Sequence, residues 1–128
     1  MTLPELIPIA YEADYRTDTI GRYDDGQFYA NGWDHHAFVH FFDHDGTYRE
    51  STVVRVEHRR DLERVVGELV AAIPGRTFGD IAVGLFEFER DGVRFGLVDE
   101  SAERDDAWAE LYPDRLGFTE PWDGLYST

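Results

Sequence analysis

The chain has 128 residues, a length typical of one domain, with 42% hydrophobic residues and no cysteine, which excludes disulfides, zinc–thiolate sites and thiolate catalysis. Its 27 acidic residues outnumber 12 basic ones, all of them arginine, and give a formal net charge of −15. This surplus of acid disfavours sequence-independent nucleic-acid binding, which needs clustered cations, and the lack of lysine excludes Schiff-base chemistry.

The sequence contains no feature that predicts a membrane or secreted protein. No apolar run approaches the ~20 residues of a membrane-spanning helix. The opening MTLPELIPIA lacks a basic region and contains two prolines, so no secretory signal is predicted. We therefore expect a cytoplasmic protein. Its acidity has three explanations that stay open: a GC-rich genome, adaptation to salt, and a surface for a basic partner.

Before residue 57 the chain alternates strand-forming runs with turn-forming residues, including two Asp-Gly turns, which are typical of hairpins. The four predicted strands are 19–23, 27–33, 36–42 and 47–56. In the last of these, Tyr48, Thr52 and Val54 are predicted to share one face, with Ser51 and Arg55 on the opposite face. These runs predict a mainly antiparallel sheet.

The pattern then changes to helical spacing. Apolar residues at i, i+3, i+4, i+7, i+8 and i+11 predict one amphipathic helix over about 60–73, ended by the Pro-Gly pair that follows. The next run, 80–90, is apolar on both faces at its start, which predicts a central strand. An Asp-Gly turn joins it to a strand at 93–99.

The last thirty residues are less regular. The acidic stretch 99–106 is predicted to be a loop, 107–111 a short strand, and the remainder an aromatic-rich closing segment. Consecutive hairpins need a cover for their apolar face, and the single helix supplies it. The sequence therefore predicts one α+β, two-layer domain over 1–128, with an antiparallel sheet and one amphipathic helix packed on one face.

The stretch WDHHAFVHFFDHDG, residues 33–46, holds four of the five histidines. Its alternation predicts a strand running into a turn, which places His36 and His40 about 13 Å apart at ~3.3 Å per residue. Zinc–nitrogen bonds of ~2.0–2.1 Å exclude a shared ion unless His58 arrives from elsewhere. The spacing also fails the calcium-loop pattern, and no serine has a nucleophile-elbow context. We therefore predict no metal, no cofactor and no catalytic residue.

Acidic and aromatic residues outside this stretch are candidates for contact with a protein partner. The acidic stretch 99–106 suits arginine or lysine side chains, and tryptophan is enriched at protein interfaces. In each case the alternative is a solvated loop or a residue that completes the core. The predicted contact set is Trp33, Asp34, Asp99, Glu100, Glu103, Asp105, Asp106, Trp122 and Asp123.

Four segments together resemble a family of small acidic proteins from high-GC bacteria, many of them labelled formate hydrogenlyase regulatory protein. The segments are DTIGRYDDGQF, FVHFFDHDGTY, FGDIAVGLFEFERDGVRFGLVDE and PWDGLYST, which cover roughly half of the chain. The resemblance implies a stand-alone α+β protein, and the label implies a regulatory role. It carries over no ligand or catalytic residue. The segment after GQF is shorter than in the family, and the histidines at 35, 36, 40 and 44 are not part of its pattern.

Three hypotheses for function follow. The first is a non-enzymatic protein-binding module, resembling an immunity or antitoxin protein, which engages a basic partner through an acidic surface. The second is a regulator of a metabolic or transcriptional complex, which also acts by protein contact. The third is a small metal-dependent or histidine-based hydrolase centred on His36, His40 and His58.

Overall fold

The computed structural model describes residues 2–127, so Met1 and Thr128, the two ends of the predicted domain, lie outside the described part. A short 3-10 helix, Arg59–Asp61, runs into the helix α1 (Leu62–Ala71), and a second helix, α2 (Ser101–Arg104), follows later. The strands are β1 (Ile7–Ile9), β2 (Ile20–Tyr23), β3 (Gly26–Trp33), β4 (His36–Phe42), β5 (Tyr48–Arg55), β6 (Thr77–Phe78), β7 (Ile81–Val83), β8 (Phe86–Arg90), β9 (Val93–Asp99), β10 (Trp108–Tyr112) and β11 (Leu116–Thr119).

All of the strand pairs are antiparallel, as predicted. Five strands form the first sheet in the order β5-β4-β3-β2-β6, and four form the second sheet in the order β11-β10-β9-β8. A separate ladder joins β1 to β7. The α+β class with one main amphipathic helix is therefore confirmed. Within residues 2–127, no helix is long and apolar enough to cross a membrane.

The first sheet is covered on one face by α1. Small and medium apolar side chains of β3 and β4 meet the apolar stripe of the helix, because alternate residues of a strand point to the same side. This cluster consists of Phe28, Ala30, Ala37, Val39, Val66, Val70 and Ile73. The helix was predicted over about 60–73; the 3-10 turn and α1 together span 59–71, so the predicted helix is present and ends two residues earlier than expected.

The opposite face of the first sheet packs against the second sheet. Large side chains from both sheets form the main core, among them Tyr29, Phe38 and Phe42 from the first sheet and Phe95 and Leu97 from the second. The predicted pair of layers, helix on sheet, is present, and the second sheet adds a layer that the sequence did not predict. Both faces of the first sheet are therefore buried.

The run 80–90 is not the predicted central strand. It divides at Gly84 and Leu85 into β7, which pairs only with β1, and β8, which is an edge strand of the second sheet. The Gly84 amide leaves the ladder and donates to the Gly46 carbonyl at 2.8 Å. The run is apolar on both faces because it passes from one sheet to another. Its two parts, β7 and β8, both bury apolar side chains in the main core.

Four further predictions are corrected. The irregular start contains β1, the acidic loop contains the single turn of α2, and the closing segment contains β11. In β5, a bulge leaves Arg49 without a direct partner between the pairs Phe41↔Glu50 and Phe42↔Tyr48. The extra residue moves Tyr48 to the face of Ser51. The Tyr48 hydroxyl accordingly lies 2.8 Å from Ser51 Oγ, and Tyr48 does not share a face with Thr52.

Candidate protein-binding face

The second sheet has one face in the core and one face that no layer of residues 2–127 covers. On β10, Ala109 and Leu111 point into the core, so the alternate residues Trp108, Glu110 and Tyr112 point outward. The pairing of β9 with β10 and with β8 shows which residues of these two strands lie on the same outward side. We define the outer face as the residues Glu87, Arg94, Val98, Trp108, Glu110 and Tyr112.

The absence of a side chain at Gly117 in β11 allows the Trp108 ring to lie on the sheet. A Cβ atom at Gly117 would stand 2.0 Å from Cζ2 of Trp108 and 2.5 Å from Cε2. Such contacts are impossible, so the ring position depends on the missing side chain at Gly117. The indole Nε1 donates to Glu110 Oε1 at 3.0 Å, which fixes the orientation of the ring.

Gly117→Val is expected to push the Trp108 ring off the sheet and to cost about 2–3 kcal/mol of the free energy of unfolding, as overpacking does. The near-UV circular dichroism of tryptophan should change together with the stability. Gly67→Val is the matched control, because a Cβ at Gly67 meets nothing within 4 Å. An unchanged tryptophan spectrum in Gly117→Val would contradict the placement of the ring.

Three guanidinium groups lie over the two aromatic rings of the outer face. The Cζ atom of Arg104 is 4.1 Å from the Trp108 ring centre, and that of Arg94 is 4.3 Å from the Tyr112 ring centre. Arg115 reaches the same Tyr112 ring at 5.0 Å. Cation–π contacts of this length contribute ~0.5–1 kcal/mol each at exposed sites. They hold long arginine side chains in place above a sheet face.

Glu110 is the buried centre of this arrangement, with only 3% of its side chain exposed. It accepts hydrogen bonds from Arg115 Nε and from Arg104 at 3.4 Å, in addition to the indole. Burial acts to raise the pKa of Glu110, but the hydrogen bonds from Arg115 and Trp108 outweigh it and lower the pKa. Glu110 therefore stays ionised and neutralises the arginines around it.

The acidic segment, which we define as residues 99–106, folds against the rim of the outer face. Glu100 accepts a hydrogen bond from the Tyr112 hydroxyl at 3.0 Å and lies 3.7 Å from Arg94. Asp99 accepts from the Ser101 amide at 2.9 Å, and its pKa is lowered by hydrogen bonds from Ser101. The segment is thus attached to the aromatic residues of the sheet.

The remaining carboxylates of the acidic segment point into solvent. Glu103, Asp105 and Asp106 are exposed, and their carboxylates have no ion-pair or hydrogen-bond partner among residues 2–127. Asp105 adopts a positive φ of 59°, which follows the end of α2. Of the predicted contact set, these three residues are therefore the ones whose charges stay available to a partner.

Trp33 and Asp34 belong to a different part of the molecule. Trp33 ends β3 and Asp34 begins the tight turn into β4, and together with Arg59 and Leu62 they line a shallow cleft of about 340 Å³. Asp34 accepts a hydrogen bond from Arg59 at 2.5 Å, which lowers the pKa of its carboxyl group. The turn is on the first sheet, whereas the acidic segment follows the second.

Trp122 and Asp123 lie in the closing segment. Trp122 is half-buried and packs against the main core. Asp123 Oδ1 accepts a hydrogen bond from the Leu125 amide at 3.1 Å, and the Gly124 carbonyl accepts one from Ala10. These contacts attach the closing segment to the start of the chain. The nine residues of the predicted set therefore fall in three places, and one of them borders the outer face.

The histidine-rich stretch forms β4 and the turns at its two ends, as the sequence predicts. His36 and His40 point into the core, where His36 Nε2 lies 3.4 Å from Asp91 Oδ2 and His40 Nδ1 lies 2.6 Å from Ser51 Oγ. His58 is exposed just before the 3-10 helix. Among residues 2–127, no three histidine or carboxylate side chains are placed to hold a metal ion.

Sequence reasoning missed the centre of the outer face. In the run WAELY, Trp108, Glu110 and Tyr112 alternate with Ala109 and Leu111, so the position of the glutamate is the feature that marks the outward side. Comparison with known proteins finds no matching family model, curated protein or solved structure. The resemblance to a family of small acidic bacterial proteins therefore stays a prediction.

Proposed function

We propose that this chain is a non-enzymatic protein-binding module of the immunity or antitoxin kind, which holds a basic protein partner on the outer face. The proposal is carried by one observation: Trp108 and Tyr112 lie under arginine guanidinium groups on a sheet face that no other layer of residues 2–127 covers, next to an acidic segment. Tryptophan, tyrosine and arginine dominate binding energy at protein interfaces. A cytoplasmic location is part of the same proposal.

The contacts among the side chains of this face favour binding of a partner. The side chains of Arg94, Arg104 and Arg115 each contact both an aromatic ring and a carboxylate of the outer face or acidic segment. Immobilising a flexible side chain on binding costs ~0.5–1.5 kcal/mol, so side chains that are already ordered lose less on association. The face therefore presents to a partner arginine side chains that rest on the Trp108 and Tyr112 rings.

The charges indicate the chemistry of the partner. Glu87, Glu100 and Glu110 neutralise the three arginines, whereas Glu103, Asp105 and Asp106 keep unpaired negative charge at the rim. A partner surface with lysine or arginine opposite the rim would be attracted during diffusional encounter and held in register. A net charge of −15 extends this attraction beyond the contact itself.

The buried histidine argues for binding rather than hydrolysis. Ser51 Oγ contacts His40 in the way a nucleophile contacts its base. Burial, however, lowers the pKa of His40 to about 3, and a base this weak is a poor proton acceptor near neutral pH. We therefore assign the contact between Ser51 and His40 a structural role.

Neutralising the rim should weaken binding of basic peptides. The test uses a phage-displayed library of random dodecapeptides selected on the wild-type protein at low ionic strength, followed by affinity measurement on individual peptides. We expect lysine- and arginine-rich peptides. In the variant Glu103→Gln, Asp105→Asn, Asp106→Asn, their dissociation constants should rise about tenfold, since each exposed charge contributes ~0.5 kcal/mol.

The matched control removes the same charges elsewhere: Glu5→Gln, Asp24→Asn, Asp25→Asn, all at exposed positions. We expect this control to bind with close to wild-type affinity, and added salt to weaken binding of both proteins. Selected peptides without a basic bias would overturn the proposal. So would equal losses in the rim variant and the control, because the attraction would then come from net charge alone.

A further inference from the structure

The strand β5 forms an open edge of the first sheet. It is eight residues long, pairs with β4 on one side, and has no strand partner on the other side among residues 2–127. The Val56 amide donates to the His35 carbonyl at 2.7 Å, which sets the alternation of the ladder. The backbone N–H and C=O groups of Thr52 and Val54 therefore make hydrogen bonds to β4. The backbone groups of the alternate residues point away from β4, towards the open edge: Ser51, Val53 and Arg55.

The bulge at Arg49 lies at the start of this edge, and the centre of the edge lacks the charges and proline that usually protect an edge strand from pairing. This centre, 51–54, carries no charge and no proline, and three of its four residues are β-branched. The open edge of the second sheet is different. There β8 has only five residues, of which Glu87, Glu89 and Arg90 are charged. The contrast singles out β5 as a strand available for pairing.

We propose that β5 pairs antiparallel with β5 of a second copy of this chain, about a twofold axis at Val53, and so forms a homodimer. Outward-pointing residues must oppose one another in an antiparallel ladder. With the axis at Val53, Ser51 opposes Arg55 of the second copy and Thr52 opposes Val54. The two first sheets then join into one ten-stranded sheet with α1 and its copy on the same side.

Residues 49–60 carry four arginines and two glutamates, so this edge is locally basic and disfavours a basic strand as its occupant. A second copy carries the same surplus, but the proposed register offsets it by pairing Arg49 of one copy with Glu57 of the other. Arg49 and Glu57 are each four residues from Val53. The twofold axis therefore brings Arg49 of each copy towards Glu57 of the other. The edge is on the first sheet and leaves the outer face of the second free, which makes this inference independent of the proposed function.

Each copy carries a net charge of −15, so two copies repel each other. This repulsion acts over a longer distance than the contacts between the paired strands. Salt screens this repulsion, because the Debye length falls from ~30 Å at 0.01 M to ~10 Å at 0.1 M ionic strength. We therefore expect dimerisation to strengthen as salt rises. Binding of a basic partner through the acidic segment should weaken under the same change.

Sedimentation velocity over about 1–100 µM, a range suited to micromolar dissociation constants, tests the proposal. The wild type should shift from monomer to dimer within this range, and more so at higher salt. Arg55→Pro removes an outward N–H at an exposed position and leaves the bonds between β4 and β5 in place. The dissociation constant of the dimer should rise at least tenfold. Because the dimer is symmetric, the substitution removes one hydrogen bond of ~1 kcal/mol from each copy, two in all.

Arg55→Gln is the control, because it removes the same charge and keeps the N–H; we expect it to dimerise like the wild type. Far-UV circular dichroism of Arg55→Pro checks that the strands remain. A wild type that stays monomeric at every concentration and salt would overturn the proposal. So would an Arg55→Pro protein that is folded and dimerises with wild-type affinity.

Discussion

Replacement of His40 by phenylalanine is expected to remove a large part of the acid sensitivity of this fold. His40 is fully buried between the two sheets, and burial lowers its pKa from the ordinary 6.5 to about 3. In the unfolded chain, the same imidazole takes up a proton near pH 6.5. The two states therefore differ in bound protons over several pH units.

The sign of the effect follows from which state binds the proton. Below pH 6.5 the unfolded chain is protonated at His40 and the folded chain is not, so falling pH favours unfolding. The stabilisation is fully present above pH 6.5 and is lost progressively down to about pH 3. Each pH unit corresponds to ~1.4 kcal/mol, so the total is on the order of 4–5 kcal/mol.

The surroundings of His40 suit an aromatic ring without charge. Its ring centre lies 4.8 Å from that of Phe86 and 5.0 Å from that of Phe38. Its Nε2 atom is buried and has no hydrogen-bond partner among residues 2–127. Phenylalanine therefore loses one bond, to Ser51, and Ser51 keeps its contact with the Tyr48 hydroxyl.

Urea unfolding of the wild type and His40→Phe at pH 7.5 and pH 4.5 measures the effect. The difference between their free energies of unfolding should change by about 2–3 kcal/mol between the two pH values, in favour of the variant at low pH. All carboxylates are common to both proteins, so their titration cancels. His44→Gln, at an exposed position, is the control for the loss of a histidine. Parallel pH profiles for the wild type and His40→Phe would contradict the buried, neutral imidazole.

The elements that the sequence predicts well are those determined by neighbours along the chain. Asp-Gly turns need a positive φ, which Asp91 and Gly92 both adopt, and such a turn fixes the register of its two strands. The stripe that contains Val66 and Val70 is visible at helical spacing and packs as expected. Residues close together in the sequence determine this turn and this helix, so both can be predicted from the sequence.

The candidate site depends on contacts between distant parts of the chain. In β10 only the charge of Glu110 marks the outward side, because Trp108 and Tyr112 on that side are otherwise as apolar as Ala109 and Leu111. Pairing with β9 and β11 fixes which side of β10 faces the core, because it places Leu97 and Leu116 directly beside Leu111. Trp122 shows the opposite case: an isolated tryptophan near a terminus resembles an interface residue, yet it packs on the core.

Asp114 illustrates why buried polar groups escape sequence reasoning. It follows Pro113 in a turn, where an aspartate is ordinarily exposed. In the structure it is only 5% exposed and connects the turn between β10 and β11 to β3. The Tyr29 hydroxyl donates to its Oδ2 at 2.5 Å, and the Asn31 amide donates to the same atom at 3.0 Å. The partners are 83 and 85 residues away, beyond any local pattern.

Asp114→Ala is expected to destabilise the fold by about 3–4 kcal/mol, because it leaves the buried Tyr29 hydroxyl and Asn31 amide without their acceptor and opens a small cavity. Burial raises the pKa of Asp114. A carboxyl with a raised folded pKa stabilises most below its unfolded value of 3.8, and this stabilisation is lost as pH rises through the folded value. The loss on substitution should therefore be larger near pH 4 than at pH 8, as measured by urea unfolding.

Two further variants separate this network from the general effect of deleting an aspartate. Asp123→Ala removes an exposed carboxylate that accepts one local hydrogen bond, and it should cost less than about 1 kcal/mol. Tyr29→Phe removes the donor, and combined with Asp114→Ala it should cost less than the sum of the single changes by about 1 kcal/mol. Additive losses would mean that Tyr29 and Asp114 stabilise the fold separately, and that the hydrogen bond between them contributes nothing to holding the turn before β11 against β3.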